Sequence, residues 1–423
     1  IDHFTFHSSD TFVMRYAVAD QYWDSNGGPI FFYTGNENVI ETFINNTGLM
    51  WEWAPEFKAM LVFAEHRFYG ESMPFGNRSS CAPGRVNYSS SLYPCSSVVF
   101  PRADPAGCTA FFPSSFKYIS VVSVRLSVVY VYLFSILLFL CASLTMFMSC
   151  YCCHDPGGVT KAMVKAADAC FAAERSPAWQ SMKTSADIKR KAHEFSRKYK
   201  MCDNLTTQAQ RMLLDWMHDT YLHLAMFNYP EPSSRLTSLP ANPVKEACSL
   251  LTKAKNNASL VDAVFKVMNL FFNHTGTHDC LQILFYVNLN PAWHFQTCTE
   301  LVMAHCSDGV TDMFFTRNWD MKQMRHTCKK RFRVKPDPQK IYSMFGNRLE
   351  TSSNIIFSNG ELDPWSAVGY RAPKTKSVIP ILIRGAAHQE DFRFPSLTDS
   401  AALIRARWEE KKYVRKWIDE AGS

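Results

Sequence analysis

The sequence predicts an α/β fold into which a helical block has been inserted, and three observations carry that prediction. Near the start, short and wholly apolar runs at Pro29 to Thr34 and Ala59 to Ala64 each end in a polar turn. Runs of this kind suit a parallel sheet covered on both faces. From about Thr160 to Phe272 apolar residues instead fall at three-to-four spacing, as at Met212, Leu213, Trp216, Tyr221 and Leu224, which is the helical period. Strand texture then returns at Asn354 to Ser358 and at Ser377 to Arg384. A chain of 423 residues, 47% hydrophobic and 20% charged, has the length and composition for a sizeable core.

Taken in order, the first strand opens into Gly35-Asn36-Glu37-Asn38 and the second into Glu65-His66-Arg67-Phe68-Tyr69-Gly70. The late strands deliver Asn359-Gly360-Glu361-Leu362-Asp363-Pro364-Trp365 and Gly385-Ala386-Ala387-His388, and a last helix, about Asp399 to Ala421, closes the fold. An aspartate after one late strand and a histidine after the next follow the chain order of the acid and base in α/β-hydrolases. The predicted organisation is residues 1–78 as the N-terminal part of an α/β-hydrolase domain and 79–159 as an anomalous apolar segment. Residues 160–345 follow as a helical cap domain, and 346–423 as the C-terminal part that carries the Asp and His.

The anomalous segment is rich in Ser, Val, Phe, Leu, Tyr and Cys, and from Leu126 to Cys153 it has no charged residue. That run is long enough to span a bilayer. A single span would put the first two strands and the last two on opposite sides of a membrane, whereas one sheet needs them side by side. A buried apolar hairpin escapes this objection, but Gly and Pro are absent from the middle of the run. The composition also favours amino acids with thymine-rich codons, as in an intron read through as coding sequence. Retained non-coding sequence is the favoured reading, ahead of a membrane segment at 126–153 and a buried hairpin.

Of the fourteen cysteines, the seven outside that segment are scattered singly, which suits disulfides better than zinc. Asn-x-Ser/Thr sequons at Asn45, Asn77, Asn87, Asn204, Asn257 and Asn273 point the same way, to an oxidising, secretory-route environment. The start, Ile1-Asp2-His3-Phe4, carries no charged-then-apolar leader, so the expectation is that any secretion signal has been cut off or was never included. The crowded Cys150, Cys152, Cys153 and His154 have poor spacing for a metal site. The net charge of +7 is concentrated in two runs, Lys183 to Lys200 and Lys322 to Lys340. No stacking aromatics or docking motif accompany them, so they read as solvated helix faces and no nucleic-acid partner is expected.

The pieces Asp2-His3-Phe4, Phe32-Tyr33-Thr34-Gly35-Asn36-Glu37, Leu61 to Ser72 (LVFAEHRFYGES), Leu239-Pro240-Ala241-Asn242-Pro243-Val244-Lys245, Gln296-Thr297-Cys298-Thr299-Glu300 and Phe357 to Ser366 (FSNGELDPWS) occur together in one order. In this the chain resembles the family of lysosomal Pro-X carboxypeptidase and dipeptidyl peptidase II, serine exopeptidases that cut after proline. The resemblance covers the chain apart from about Ser79 to Val159. It implies an α/β-hydrolase fold with an inserted helical cap, whose sheet is incomplete because the nucleophile-strand region is replaced. It further implies Asp363 as the orienting acid and His388 as the base, with Gln389 standing where the family has the second of two adjacent histidines. Backbone N–H groups of Gly35, Asn36 and Glu37 would form half of an oxyanion hole, although Asn38 replaces a family glycine. Trp365 and Met303 resemble residues lining a proline pocket, for which a flat aromatic and a pliable thioether are suited. The implied partners are proline-containing peptides, with room for a homodimer; the chemistry needs no cofactor or metal, and the location is lysosomal or secreted. The implied bridges are Cys170 to Cys248, Cys202 to Cys280 and Cys298 to Cys328, and the family's partner for Cys306 lies near the replaced block.

The nucleophile is missing. A Gly-x-Ser-x-Gly elbow needs two glycines four apart around a serine, and no two glycines of this chain have that spacing. Loss of the serine alone costs about six orders of magnitude in turnover in subtilisin. Ser72 is a weak substitute, since it follows Gly70-Glu71 without an elbow. The sequence therefore predicts a member of a post-proline exopeptidase family that is itself inactive. The alternative is a catalytically dead binding or membrane-tethered pseudoenzyme.

Overall fold

The computed structural model describes residues 12–73, 196–202, 209–253, 255, 257–281, 291–299, 301–302, 306, 318–339, 352–371 and 375–422. The anomalous segment 79–159 and its apolar run, Met303 and Cys170 lie outside the described residues. What is described is a mixed α/β architecture with two small sheets and a set of packed helices.

The first sheet has three strands in the order β1-β3-β2, with β1 spanning Tyr16–Ala19, β2 Ile30–Tyr33 and β3 Met60–Ala64. β3 sits in the middle, parallel to β2 (Phe31 opposite Leu61) and antiparallel to β1 (Ala17 opposite Phe63). Leu61, Val62, Phe63 and Ala64 are all buried, as expected of a central strand covered on both faces. β1 is an edge strand with Tyr16 and Val18 exposed. Between β2 and β3 run α1 (Ile40–Asn46) and α2 (Gly48–Phe57). α2 stops at Lys58, which takes the left-handed conformation (φ 50°), and it buries Trp53, Ala54 and Phe57.

The second sheet pairs β4 (Ile355–Gly360) with β5 (Val378–Ile383) in parallel, Ile355 opposite Val378 and Gly360 opposite Ile383. Every residue of β4 is buried. Pro380 has no N–H to donate, and it lies in β5, which is paired on one side only among the described strands. One core unites the two sheets: Phe31, Leu61 and Phe63 cluster with Ile356, Ile381 and Ile383, and with Leu403, Val414 and Trp417 of the last helix, α8. α8 spans Ala401–Gly422 and its register follows the three-to-four pattern of those apolar residues.

The helical block holds a second core. It is built by α3 (Ala209–Met226), α4 (Pro243–Leu251) and α5 (Asn257–Phe272), with Trp216, Tyr221, Leu224, Val244, Leu251, Val264, Met268 and Phe271 buried together. Ala387, from the loop after β5, belongs to this second cluster. The block therefore packs directly against the residue preceding His388. Two further helices, α6 (Pro291–Thr299) and α7 (Met321–Phe332), are joined by the Cys298–Cys328 disulfide. The Cys202–Cys280 disulfide is also formed, and Cys248 is disulfide-bonded while its expected partner, Cys170, lies outside the described residues. Among the described residues no helix is long and apolar enough to cross a membrane.

Candidate active site

Two parallel strands ending side by side bring their C-terminal loops together. β4 leads through Glu361 and Leu362 to Asp363, and β5 leads through Gly385 to His388. Asp363 Oδ2 lies 2.8 Å from His388 Nδ1. A carboxylate can only accept, so this contact places the proton on Nδ1 and leaves Nε2 with its lone pair in the neutral ring. The other carboxylate oxygen, Oδ1, accepts from the backbone N–H of Trp365 at 2.9 Å and caps the short 3-10 turn Pro364–Ala367. Asp363 is thus held at both oxygens, and it is 6% exposed.

The histidine loop is held by groups that the sequence did not single out. His388 donates its backbone N–H to the carbonyl of Met226, the last residue of α3, at 3.0 Å. Its own carbonyl accepts from the Tyr229 hydroxyl at 2.7 Å. Arg235 donates to the same hydroxyl at 3.4 Å and to Gln389 Oε1, while Arg393 stacks over the Tyr229 ring at 4.0 Å. Met226, Tyr229 and Arg235 all come from the helical block and the loop after it. Nothing local marks them in the sequence, since the link to His388 spans some 160 residues of chain, 159 in the case of Tyr229.

Of the expected pocket residues, Trp365 is beside the pair. Its indole N–H donates to Met226 Sδ at 3.4 Å, and its ring meets Trp293 edge to face with centroids 6.0 Å apart. Leu301 and Val368 complete that apolar corner. Met303 lies outside the described residues.

The Gly35-Asn36-Glu37 turn follows β2. Gly35 adopts φ +82°, and a Cβ there would lie 2.5 Å from the Ala64 carbonyl oxygen and from the His66 nitrogen, so only glycine fits. Asn36 is buried with its amide donating to Tyr33 Oη at 2.9 Å, which directs this side chain into the core. Glu37 faces the site: removal from water raises its carboxyl above the usual range, opposed by its own backbone N–H and by the nearby His388 and Arg235. His223, on α3, is held below the usual imidazole value by burial. Ser72 is fully buried, with Oγ donating to Glu65 Oε2 at 2.8 Å and accepting from the Arg15 N–H at 2.9 Å, so its hydroxyl is committed to the fold.

The chain is 34% identical over 445 residues to lysosomal Pro-X carboxypeptidase of Pongo abelii, an alignment covering 100% of this chain and 88% of the relative. It is likewise 34% identical over 440 residues to the Homo sapiens protein of that name, covering 100% and 88%. It is 32% identical over 452 residues to prolyl carboxy peptidase like protein 5 of Caenorhabditis elegans, covering 99% and 89%. The serine carboxypeptidase S28 family profile matches residues 1–94 and 157–410, and the internal stretch it leaves unmatched, 95–156, falls within 79–159. With most of its length matched and full-length relatives above 30% identity, the chain belongs to the serine carboxypeptidase S28 family and is by family a hydrolase.

Proposed function

We propose that this chain carries the acid and base of a post-proline serine exopeptidase of the Pro-X carboxypeptidase kind and lacks its nucleophile. The observation that carries the reading is the 2.8 Å contact of Asp363 with His388 at the ends of adjacent parallel strands, beside the Trp365, Trp293 and Met226 corner. In this reading Asp363 fixes the imidazole tautomer and His388 Nε2 is the general base. A proline ring would rest in the corner with Trp365 and Met303. Backbone N–H groups of Gly35, Asn36 and Glu37 would be aimed at the carbonyl oxygen. The helical block acts as a cap over the strand ends, and the two sheets are the flanks of one sheet whose central, nucleophile-bearing part belongs to the replaced segment. Among relatives, the proteins named lysosomal Pro-X carboxypeptidase support peptide substrates and a lysosomal location for this chain.

The absence of a Gly-x-Ser-x-Gly elbow and the burial of Ser72 support inactivity of this exact chain. The test is to incubate the purified chain with a Pro-X dipeptide-terminated peptide and, separately, with a fluorophosphonate probe. The expected result is peptide binding without release of the C-terminal residue and without a labelled serine. Release of that residue, or a probe adduct mapped to any serine, would overturn the reading of inactivity. Failure of the peptide to bind would overturn the assignment of the pocket.

A further inference from the structure

Behind the histidine loop lies a set of buried acids that the acid-base pair does not use. His388 is followed by a 3-10 turn, Glu390–Phe392, in which Glu390, Asp391 and Phe392 are all buried. Asp391 Oδ2 accepts from Ser358 Oγ at 2.5 Å, and Ser358 lies in β4, five residues before Asp363. From α8, Glu410 brings a second carboxyl against Asp391 and is itself 5% exposed. Neither oxygen of Glu410 has an N–H donor among the described residues, and the one hydroxyl beside it, Ser358, already gives its proton to Asp391 Oδ2. The other group within reach is the Asp391 carboxyl, and two carboxyls bond to each other only when one carries a proton.

We infer that Asp391 and Glu410 share one proton and that the shared proton is a positioning device for His388. The pair ties three elements at one point: β4, which leads to Asp363; the turn that follows His388; and α8. Arg407, one turn before Glu410 on α8, completes the tie. Its guanidinium donates to the carbonyls of Asp391 at 2.8 Å, Glu390 at 3.0 Å and Arg393 at 3.1 Å, and it pairs with Asp399. Arg407 is therefore engaged by backbone and by Asp399 and cannot neutralise both acids. Among the described residues the other ionisable neighbour in the turn is Glu390, whose carboxylate accepts from the Ala387 N–H at 2.7 Å. α2 adds Leu49, Met50, Trp53, Ala54 and Phe57 to the core shared with Phe392 and α8, and its one charged group against α8 among the described contacts, Glu56, is paired at the surface with Lys411 and Arg415. Burial raises both Asp391 and Glu410, Glu410 well above its usual value, with Asp391 as the next cause of that rise.

When the last shared proton leaves, two buried anions face each other and the joint between β4, the turn and α8 loosens. His388 then loses its fixed place relative to Asp363. The proposal concerns the position of His388 and rests on the reading of Asp363 and His388 as an acid-base pair only for its consequence.

The test is hydrogen exchange by mass spectrometry on the full chain across about pH 5 to 8, corrected for intrinsic rates, following peptides that contain the amides of Ala387 and His388. The wild-type chain is expected to lose protection there by up to about tenfold per pH unit through the ionisation of the pair, since opening is linked to one proton. Glu410→Gln, whose amide donates to Asp391 at every pH, is expected to keep protection constant over the same range. Glu410→Met removes the second acid without changing much volume and serves where the glutamine variant does not fold; it too is expected to flatten the profile. The proposal is overturned if either folded variant keeps the wild-type slope in these peptides, or if the wild-type slope there equals that of the β1 to β3 peptides. Loss of peptide binding with a normal exchange profile would instead sink the proposed function and leave this inference standing.

Discussion

Glu65 is the most consequential buried charge near the candidate oxyanion turn, and removing it gives a prediction with a magnitude that the structure fixes. Its side chain is completely buried at the end of β3. Oε1 accepts from the Ile40 N–H at 3.1 Å, at the start of α1, where a negative charge also meets the favourable end of the helix dipole. Oε2 accepts from the N–H groups of Glu71 and Ser72, each at 2.9 Å, and from Ser72 Oγ at 2.8 Å. Gly70 adopts φ +55° and leaves room for this carboxylate, since a Cβ there would collide with it. In Glu65→Ala the N–H of Ser72 retains Tyr69 O, but those of Ile40 and Glu71 lose the carboxylate. Each buried donor left without a partner costs about 1–3 kcal/mol, so the expected loss is about 3–5 kcal/mol once the bond from Ser72 Oγ is included. Glu65→Gln is expected to cost less, about 1–3 kcal/mol, because its carbonyl can serve the three donors on one side while its NH2 faces the Ile40 N–H. Urea midpoints of the three proteins, at unchanged m-value, measure these differences. A cost below about 1 kcal/mol for Glu65→Ala would refute the view that this carboxylate holds the turn and the 65–72 loop together.

Three further predictions follow from the same style of accounting. Burial pushes His66 down to about 4, so the unfolded chain binds more protons than the native one between about pH 6.5 and 4. The stabilisation is present above that window and lost as pH falls through it, by at most about 1.4 kcal/mol per unit; His66→Gln should flatten this limb in urea midpoints taken at several pH values. Tyr229→Phe removes the hydroxyl donor to the His388 carbonyl and should cost about 1–2 kcal/mol, with faster exchange of the His388 amide that Met226 holds. The two described disulfides close loops of 78 and 30 residues, which predicts about 1 kcal/mol more loss for Cys202→Ala with Cys280→Ala than for Cys298→Ala with Cys328→Ala. Thermal unfolding of the two double variants compares them directly.

How far the sequence could be read depended on whether the signal was local. β2, β3, β4 and β5 stood out because each is an apolar run that ends in a polar turn. β1 did not, because Tyr16–Ala19 is four residues long with alternate residues exposed, and only its pairing with β3 makes it a strand. α2 was also missed: it begins at Gly48 and contains Pro55, both poor helix formers, and burial of Trp53 and Phe57 overrides that weakness. That Asp363 and His388 meet was legible from the strands before them, which end side by side. Met226, Tyr229 and Arg235 were not, since each reaches the histidine loop across a long stretch of chain and no short motif records such a contact.

The supports of the Asp363–His388 contact all lie in the stretches that the family profile matches. Asp363 is capped by its own turn at Trp365, and His388 is fixed by Met226 and Tyr229. The turn behind it is fixed by Ser358, Arg407 and Glu410. The oxyanion turn rests on Ala64, Glu65 and His66. Every one of these described contacts is made by residues outside 79–159. If, as proposed, that segment stands in place of the nucleophile and its strand, the contacts that place His388 against Asp363 remain encoded in the flanking sequence. On that proposed reading an intact Asp363–His388 contact does not by itself require turnover, because the described contacts that hold it do not include the segment that would carry the nucleophile.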